Sequence, residues 1–283
     1  MDLIVDSGST KSDWVIVDGE NRHEYYTIGL NPFFHDEDSV YDAICENKEL
    51  FWFRDKITNL FFYGAGCSSD SLNAIIEKGL QRVFPDANIV VDHDLKACAF
   101  ATYEGEPSIS CIIGTGSNSC FFDGKDVFEE VPALGYILGD EGSGSYFGKK
   151  LLTDFLYNKL PQNIHNALAN DLGLTKEDII KNVYMLPNAN VYLASFMRFV
   201  VKHGDDIYFK EMIYEGFKHF IEEHVCCYPN YKMYKAHFIG SIAFLFSKEL
   251  KKACDFHNIK LGQIIQKPIT GLINYHQRVV VKS

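Results

Sequence analysis

Asp6-Ser7-Gly8-Ser9-Thr10-Lys11-Ser12-Asp13 follows a short apolar run, Leu3 to Val5, and precedes a second, Trp14 to Val17. A strand ending in a carboxylate, a turn of small and hydroxylated residues, and a returning strand predict an antiparallel hairpin. Such a turn offers backbone N–H groups and Ser or Thr hydroxyls to phosphate oxygens, with Asp6 placed for a hydrated Mg²⁺ ion. A plain hairpin turn has the same composition, because Gly, Ser and Thr are common in turns. A third strand, Tyr25 to Ile28, is expected beyond the tight turn at Asp18-Gly19.

Working outward, helices are predicted over 36–49 and 70–84. The second carries Leu72, Ile75, Ile76, Leu80 and Val83 at helical spacing behind an Asp70 cap. Between them Leu60-Phe61-Phe62-Tyr63 reads as a strand that stops at Gly64-Ala65-Gly66. Ile89-Val90-Val91 reads as a short buried strand ending at Asp92-His93-Asp94, with a helix from Leu95 to Tyr103. Carboxylates at a strand's C-terminal end sit where open α/β sheets place ligands, although Asp94 reads equally well as an N-cap.

The outline then repeats. Ser110 to Ile113, the turn Gly114-Thr115-Gly116, Cys120 to Phe122 and a turn at Asp123-Gly124 mirror the run from Gly8 to Gly19. A duplication of this kind predicts two related halves, each with a phosphate-type turn, gripping a nucleotide from both sides of a cleft. After Asp140 the chain reads mostly helical, with Ile213, Phe217, Phe220, Ile221 and Val225 as the clearest apolar stripe. A brief strand, His237 to Ile239, ends at Gly240-Ser241 and leads into another helix.

At 283 residues the chain has the length of about two domains, each able to bury its own core. A formal net charge of −11 argues against a protein that coats nucleic acid or an anionic membrane. It does not argue against one phosphorylated small molecule held by loop amides and a metal ion. The eight cysteines form no CxxC pair, sit mostly among apolar neighbours and read as reduced core residues of a cytoplasmic protein. The start MDLIVDSGST has no basic leader, and no apolar run reaches the ~18 residues of a membrane span. An aromatic content of 14% suits a homodimer interface as well as ordinary core packing.

Several motifs fail. Gly142 to Lys150 looks like a P-loop, but Ser143 stands where Walker A needs Gly, and Lys150 follows Lys149 where Ser or Thr is required. Gly114-x-Gly116 and Gly64-x-Gly66 lack the third glycine of a dinucleotide fingerprint. HFIEEH at 219–224 is not HExxH and reads as a surface histidine pair on a helix. Gly139-Asp140-Glu141-Gly142-Ser143-Gly144 reads either as a helix cap or as carboxylates accepting bonds from ligand hydroxyls.

Taken together, DSGSTKSDW (6–14), GLNP (29–32), DHDLKACA (92–99), GTGSNS (114–119), GDEGSG (139–144) and IGS (239–241) resemble the N-acetylglucosamine kinase family and its BadF/BadG-type relatives, in the actin, Hsp70 and sugar kinase ATPase superfamily. The matches run in order along essentially the whole chain. The resemblance implies an α/β fold of two ribonuclease-H-like domains with a cleft between them, over 1–105 and 106–267, with a C-terminal helix of about 268–283 returning to the first. It implies Mg²⁺ at Asp6, ATP phosphates along Ser9, Thr10 and Lys11 and along Gly114, Thr115 and Gly116, and adenosine against Gly240 and Ser241. Asn31, Ser117, Asn118 and Asp140 match family positions that bind the amino sugar, and Asp94 matches the general base. The family often has a Gly-Gly pair before GDEGSG; here Pro132-Ala133-Leu134-Gly135-Tyr136 stands there, putting Leu134 and Gly135 at the sugar pocket's wall.

Positioning, charge stabilisation by Mg²⁺ and loop amides, and one carboxylate near the attacking hydroxyl are what phosphoryl transfer to a sugar requires. Two other readings compete. An ATPase that activates a 2-hydroxyacyl-CoA dehydratase shares the phosphate loops but holds an iron–sulfur cluster through cysteines, and only Cys120 lies near such a loop. A non-enzymatic sugar or nucleotide sensor would reuse the scaffold without turnover.

Overall fold

A computed structural model of the protein describes residues 1–8 and 10–280, so Ser9 and the last three positions of the expected C-terminal helix lie outside the described residues. The chain divides into two compact units, one of Met1–Glu104 with the segment from Lys267 onward, the other Gly105–Gln266.

In the first unit, strands β1 (Asp2–Ser7), β2 (Lys11–Asp18) and β3 (Asn21–Ile28) form an antiparallel meander. β4 (Asn59–Gly64) and β5 (Asn88–His93) add in parallel, giving the order β3-β2-β1-β4-β5. The run Leu3-Ile4-Val5 is buried on both faces, as the inner strand of a covered sheet must be. Leu3 and Val5 pack with Trp14, Ile16, Leu60 and Phe62 under the helices Glu37–Glu46 and Asp70–Val83. Ile4 turns the other way, to Val15, Ala97 and Leu272, beneath the helices Asp94–Thr102 and Ile269–Val280.

The second unit repeats the plan. β6 (Ser108–Ile113), β7 (Ser117–Phe122) and the short β8 (Val127–Phe128) pair antiparallel. β9 (Lys235–Ile239) and β10 (Lys260–Ile265) add in parallel to give β10-β9-β6-β7-β8. Ile109, Cys111 and Ile113 pack with Phe147, Phe217 and Phe220 of the helices Gly144–Leu156 and Ile207–His224. Eight reduced cysteines are present, five of them buried.

Three expectations need correction, and one strand had no counterpart among them. The helix expected over 36–49 ends at Glu46, because Asn47 caps a separate turn, Lys48–Phe51, through its side-chain oxygen. Ser69, not Asp70, caps the next helix: its hydroxyl accepts the Leu72 amide, while Asp70 already has helical backbone. The surface reading of the histidine pair holds for His219 only, since His224 is 5% exposed. β10 was not anticipated, for its register on β9 shifts between Leu261 and Ile264 and breaks the alternation that marks a strand. Among the described residues no helix is long and apolar enough to cross a membrane.

Candidate functional site

In the first unit the parallel strands β1, β4 and β5 end level, with Ser7 opposite Gly64 and Gly64 opposite His93. Asp6 and Asp94 therefore stand at one C-terminal sheet edge. Ser7 binds this edge to its surroundings: its hydroxyl oxygen accepts the Leu30 amide at 2.9 Å and the Ser12 hydroxyl at 2.8 Å. That fixes the loop carrying Asn31 beside the end of β1. Asn31 is buried; its Oδ1 accepts the Phe33 amide at 2.9 Å, and its Nδ2 has no hydrogen-bond partner among the described residues.

Asp94 is the first residue of its helix and not the cap, which falls to His93. The His93 Nδ1 atom lies 3.1 Å from the Leu95 amide and 2.8 Å from Asp94 Oδ1. A lone pair on Nδ1 accepts the amide and a proton there serves the carboxylate, so the two bonds are alternatives. Burial pushes the Asp6 carboxyl up to about 7, reinforced by the charges of Asp94 and Asp13 and opposed by Lys267. Lys11 and Lys267 share one partner, lying 3.2 Å and 2.8 Å from Asp13 Oδ1. The Lys11 ammonium also sits 3.6 Å from the Tyr26 ring centroid.

In the second unit the turn 114–116 closes through the Gly114 amide on the Gly116 carbonyl at 2.9 Å. The N-terminus of the helix Gly144–Leu156 braces it, with the Gly144 amide donating to the Gly114 carbonyl at 2.8 Å and Ser145 to Thr115 at 3.0 Å. Ser143 caps that helix, so Asp140 is free of capping. Asp140 instead adopts a left-handed backbone (φ 59°), and its carboxylate accepts the Ser117 amide at 3.2 Å and the Ser145 hydroxyl at 3.4 Å. Burial raises its pKa and these two donors oppose the rise.

Not every expected residue presents a free group. The Ser117 hydroxyl is committed to the Glu141 carbonyl at 2.7 Å. Asn118 uses both ends of its amide, donating to Glu129 at 3.2 Å and accepting the Ser119 amide at 2.8 Å. Leu134 is exposed and precedes a four-residue helix that starts at Gly135, close against Gly139 beside Asp140. Gly114, Thr115 and Ser241 do meet, lining a cavity of about 480 Å³ with Ala194, Ile242 and Arg198. Gly240 makes this possible: at φ 127° a side chain is strained, and a Cβ would stand 2.3 Å from the Ile113 carbonyl oxygen.

Lys267 and Arg198 carry no local sequence signal, whereas Ser7 lies inside the first phosphate-type turn and His93 and His224 lie in DHD and HFIEEH, where nothing local reveals the partners that give them a role. Among the described residues no three His, Cys, Asp or Glu side chains form a ready metal cage. Mg²⁺ bound with nucleotide keeps several waters and takes one or two carboxylates, so Asp6, half-buried at the strand end and crowded by the charges of Asp94 and Asp13, is a fitting donor.

No family model and no curated protein matches the sequence. Among solved structures, a Porphyromonas gingivalis protein provisionally named N-acetylglucosamine kinase is 36% identical, covers 98% of this chain and 99% of its own, and superimposes with a TM-score of 0.93. A Chromobacterium violaceum protein of the same provisional name shares the fold at 13% identity, over 97% and 98% of the two chains, with a TM-score of 0.69. A ROK family transcriptional regulator, a homolog of the E. coli MLC protein, shares it at 13% identity and a TM-score of 0.54, over 99% of this chain and 80% of its own. By the identity and coverage of the first of these, the chain belongs to the N-acetylglucosamine kinase family.

Proposed function

We propose that the protein transfers the γ-phosphoryl group of Mg-ATP to a hydroxyl of N-acetylglucosamine or a closely related amino sugar, with Asp94 as general base. The observation that carries this reading is Asp94 itself: a carboxylate at the sheet edge beside Asp6, with the helix cap taken by its neighbour. A base so held can take the proton of an attacking hydroxyl, the one proton transfer the reaction needs.

Each unit brings its own part. From the first, the turn before β2, with Thr10 and Lys11, offers amides, a hydroxyl and an ammonium to phosphate oxygens, and Asp6 takes the metal. When bound, Mg²⁺ neutralises charge on the β- and γ-phosphates. Asn31, with its unspent Nδ2 donor, suits a sugar hydroxyl or the acetamido oxygen. From the second, Gly114, Thr115 and Gly116 serve phosphates and Gly240 and Ser241 the adenosine, whose apolar base suits the cavity beside them. Asp140 accepts from sugar hydroxyls with its remaining lone pairs. Ser117 and Asn118 contribute by shaping the turn, since their polar groups are already bonded.

A coupled ADP-release assay with Mg-ATP across N-acetylglucosamine, N-acetylmannosamine, glucosamine and glucose tests the reading. ADP release that depends on an amino sugar is expected. Release at the same rate with and without every sugar overturns it.

A further inference from the structure

His224 ends the longest helix of the second unit, Ile207–His224, and its imidazole is buried against the ring of Phe220, centroids 4.9 Å apart. Its Nε2 lies 3.1 Å from Glu141 Oε2, and the Glu141 side chain is 15% exposed. Nδ1 has no partner among the described residues. A proton on a buried, unpartnered nitrogen is costly, so the ring carries its proton on Nε2 and donates to the carboxylate. The His224 carbonyl, one of the orphaned acceptors at a helix end, takes the Ser119 hydroxyl at 2.6 Å.

These bonds close a ring that passes through Glu141, the residue after Asp140. β7 reaches the helix end through Ser119; the helix end reaches Glu141 through His224; Glu141 returns to β7 by accepting the Ser117 hydroxyl at 2.7 Å. Asp140 is tied to that ring at two points, by its peptide bond to Glu141 and by its carboxylate on the Ser117 amide, and it holds a left-handed conformation that non-glycine residues seldom adopt. Neither His224 nor Glu141 lines the nucleotide-side cavity.

We infer that His224 and Glu141 are a positioning pair that sets the Asp140 carboxylate for sugar binding without touching the nucleotide. This rests on Asp140 being a sugar ligand. The pair acts through the turn 139–142, so its loss loosens Asp140 while leaving the phosphate turn 114–116 braced by Gly144 and Ser145.

The test compares His224→Leu, His224→Gln and Glu141→Ala in the full chain by steady-state kinetics and amide hydrogen exchange. In H224L the KM for N-acetylglucosamine is expected to rise about tenfold, the size of one lost charge-assisted hydrogen bond, with the KM for ATP within about twofold. Exchange at the Ser117 amide should speed about tenfold. H224Q, whose side-chain N–H can still reach the carboxylate, should restore both readouts toward wild type. E141A repeats the H224L pattern and serves if H224L does not fold. A folded variant with unchanged sugar KM and unchanged exchange, or an equal rise in both KM values, overturns the inference. Exchange is read whether or not the wild type turns over an amino sugar, so a failed kinase reading still leaves the positioning pair decided by the Ser117 amide.

Discussion

Asp94 differs from Asp92 in what already holds it. Asp92 is bonded to Lys96 one helical turn on and to the His93 amide, whereas the Asp94 carboxylate lies 2.8 Å from the switchable Nδ1 of His93. Replacing Asp94 by Asn keeps the shape and removes the base. A fall in kcat of at least about 10²-fold is expected, with ATP binding by calorimetry retained; full activity in D94N contradicts the role. His276 gives a separate, stability-linked expectation. Burial lowers its pKa from 6.5 to about 4, and its Nε2 shares a 2.9 Å hydrogen bond with the Tyr63 hydroxyl. The fold thus favours the neutral ring, and the unfolded chain binds the extra proton between those values. Stability should fall as pH drops from about 6.5 to about 4 and then lose no more from this group, by about 3 kcal/mol in total. Urea midpoints of wild type and His276→Gln across that range check it: the variant should lack this acid-side loss, and parallel curves would remove the claim.

At the level of elements, close helix crossings decide where the phosphate turn sits. Gly148 lets the helix Gly144–Leu156 meet the helix Ala189–Ser195 so closely that a Cβ would stand 1.9 Å from the Leu193 carbonyl oxygen. Gly148→Ala must move backbone, and a loss of about 1–3 kcal/mol in denaturant unfolding is expected. Because the same helix braces Gly114 and Thr115, the KM for ATP should rise as well; a stable G148A with unchanged KM would uncouple the two. The hairpins, β4, β5 and β9 were legible in the sequence because alternation, Gly turns and terminal carboxylates are local signals. Ser69 in place of Asp70 was a choice between adjacent capping residues that only backbone angles settle. β10 and buried His224 were not legible: one owes its place to pairing with β9, the other to a carboxylate 83 residues away.

Across the whole molecule, the repeated strand order of the two sheets is the feature the sequence showed first, through two turns of the same composition in the same context. Which residues of those turns have free polar groups was hidden, since Ser117 and Asn118 look like ligands until their partners are known. The buried Cys120, inside the core sheet with its side chain inaccessible, offers no surface for a shared iron–sulfur cluster, which weakens the activator reading. The net charge of −11 fits an enzyme that meets phosphate through amides, a metal ion and a few lysines. The central claim is transfer of phosphate to a sugar hydroxyl, and ³¹P NMR of the purified protein with Mg-ATP and N-acetylglucosamine tests it most directly. A new phosphomonoester resonance coupled to sugar protons, absent with D94N, is expected; ATP converted only to ADP and inorganic phosphate, or not consumed at all, with every amino sugar tried would contradict it.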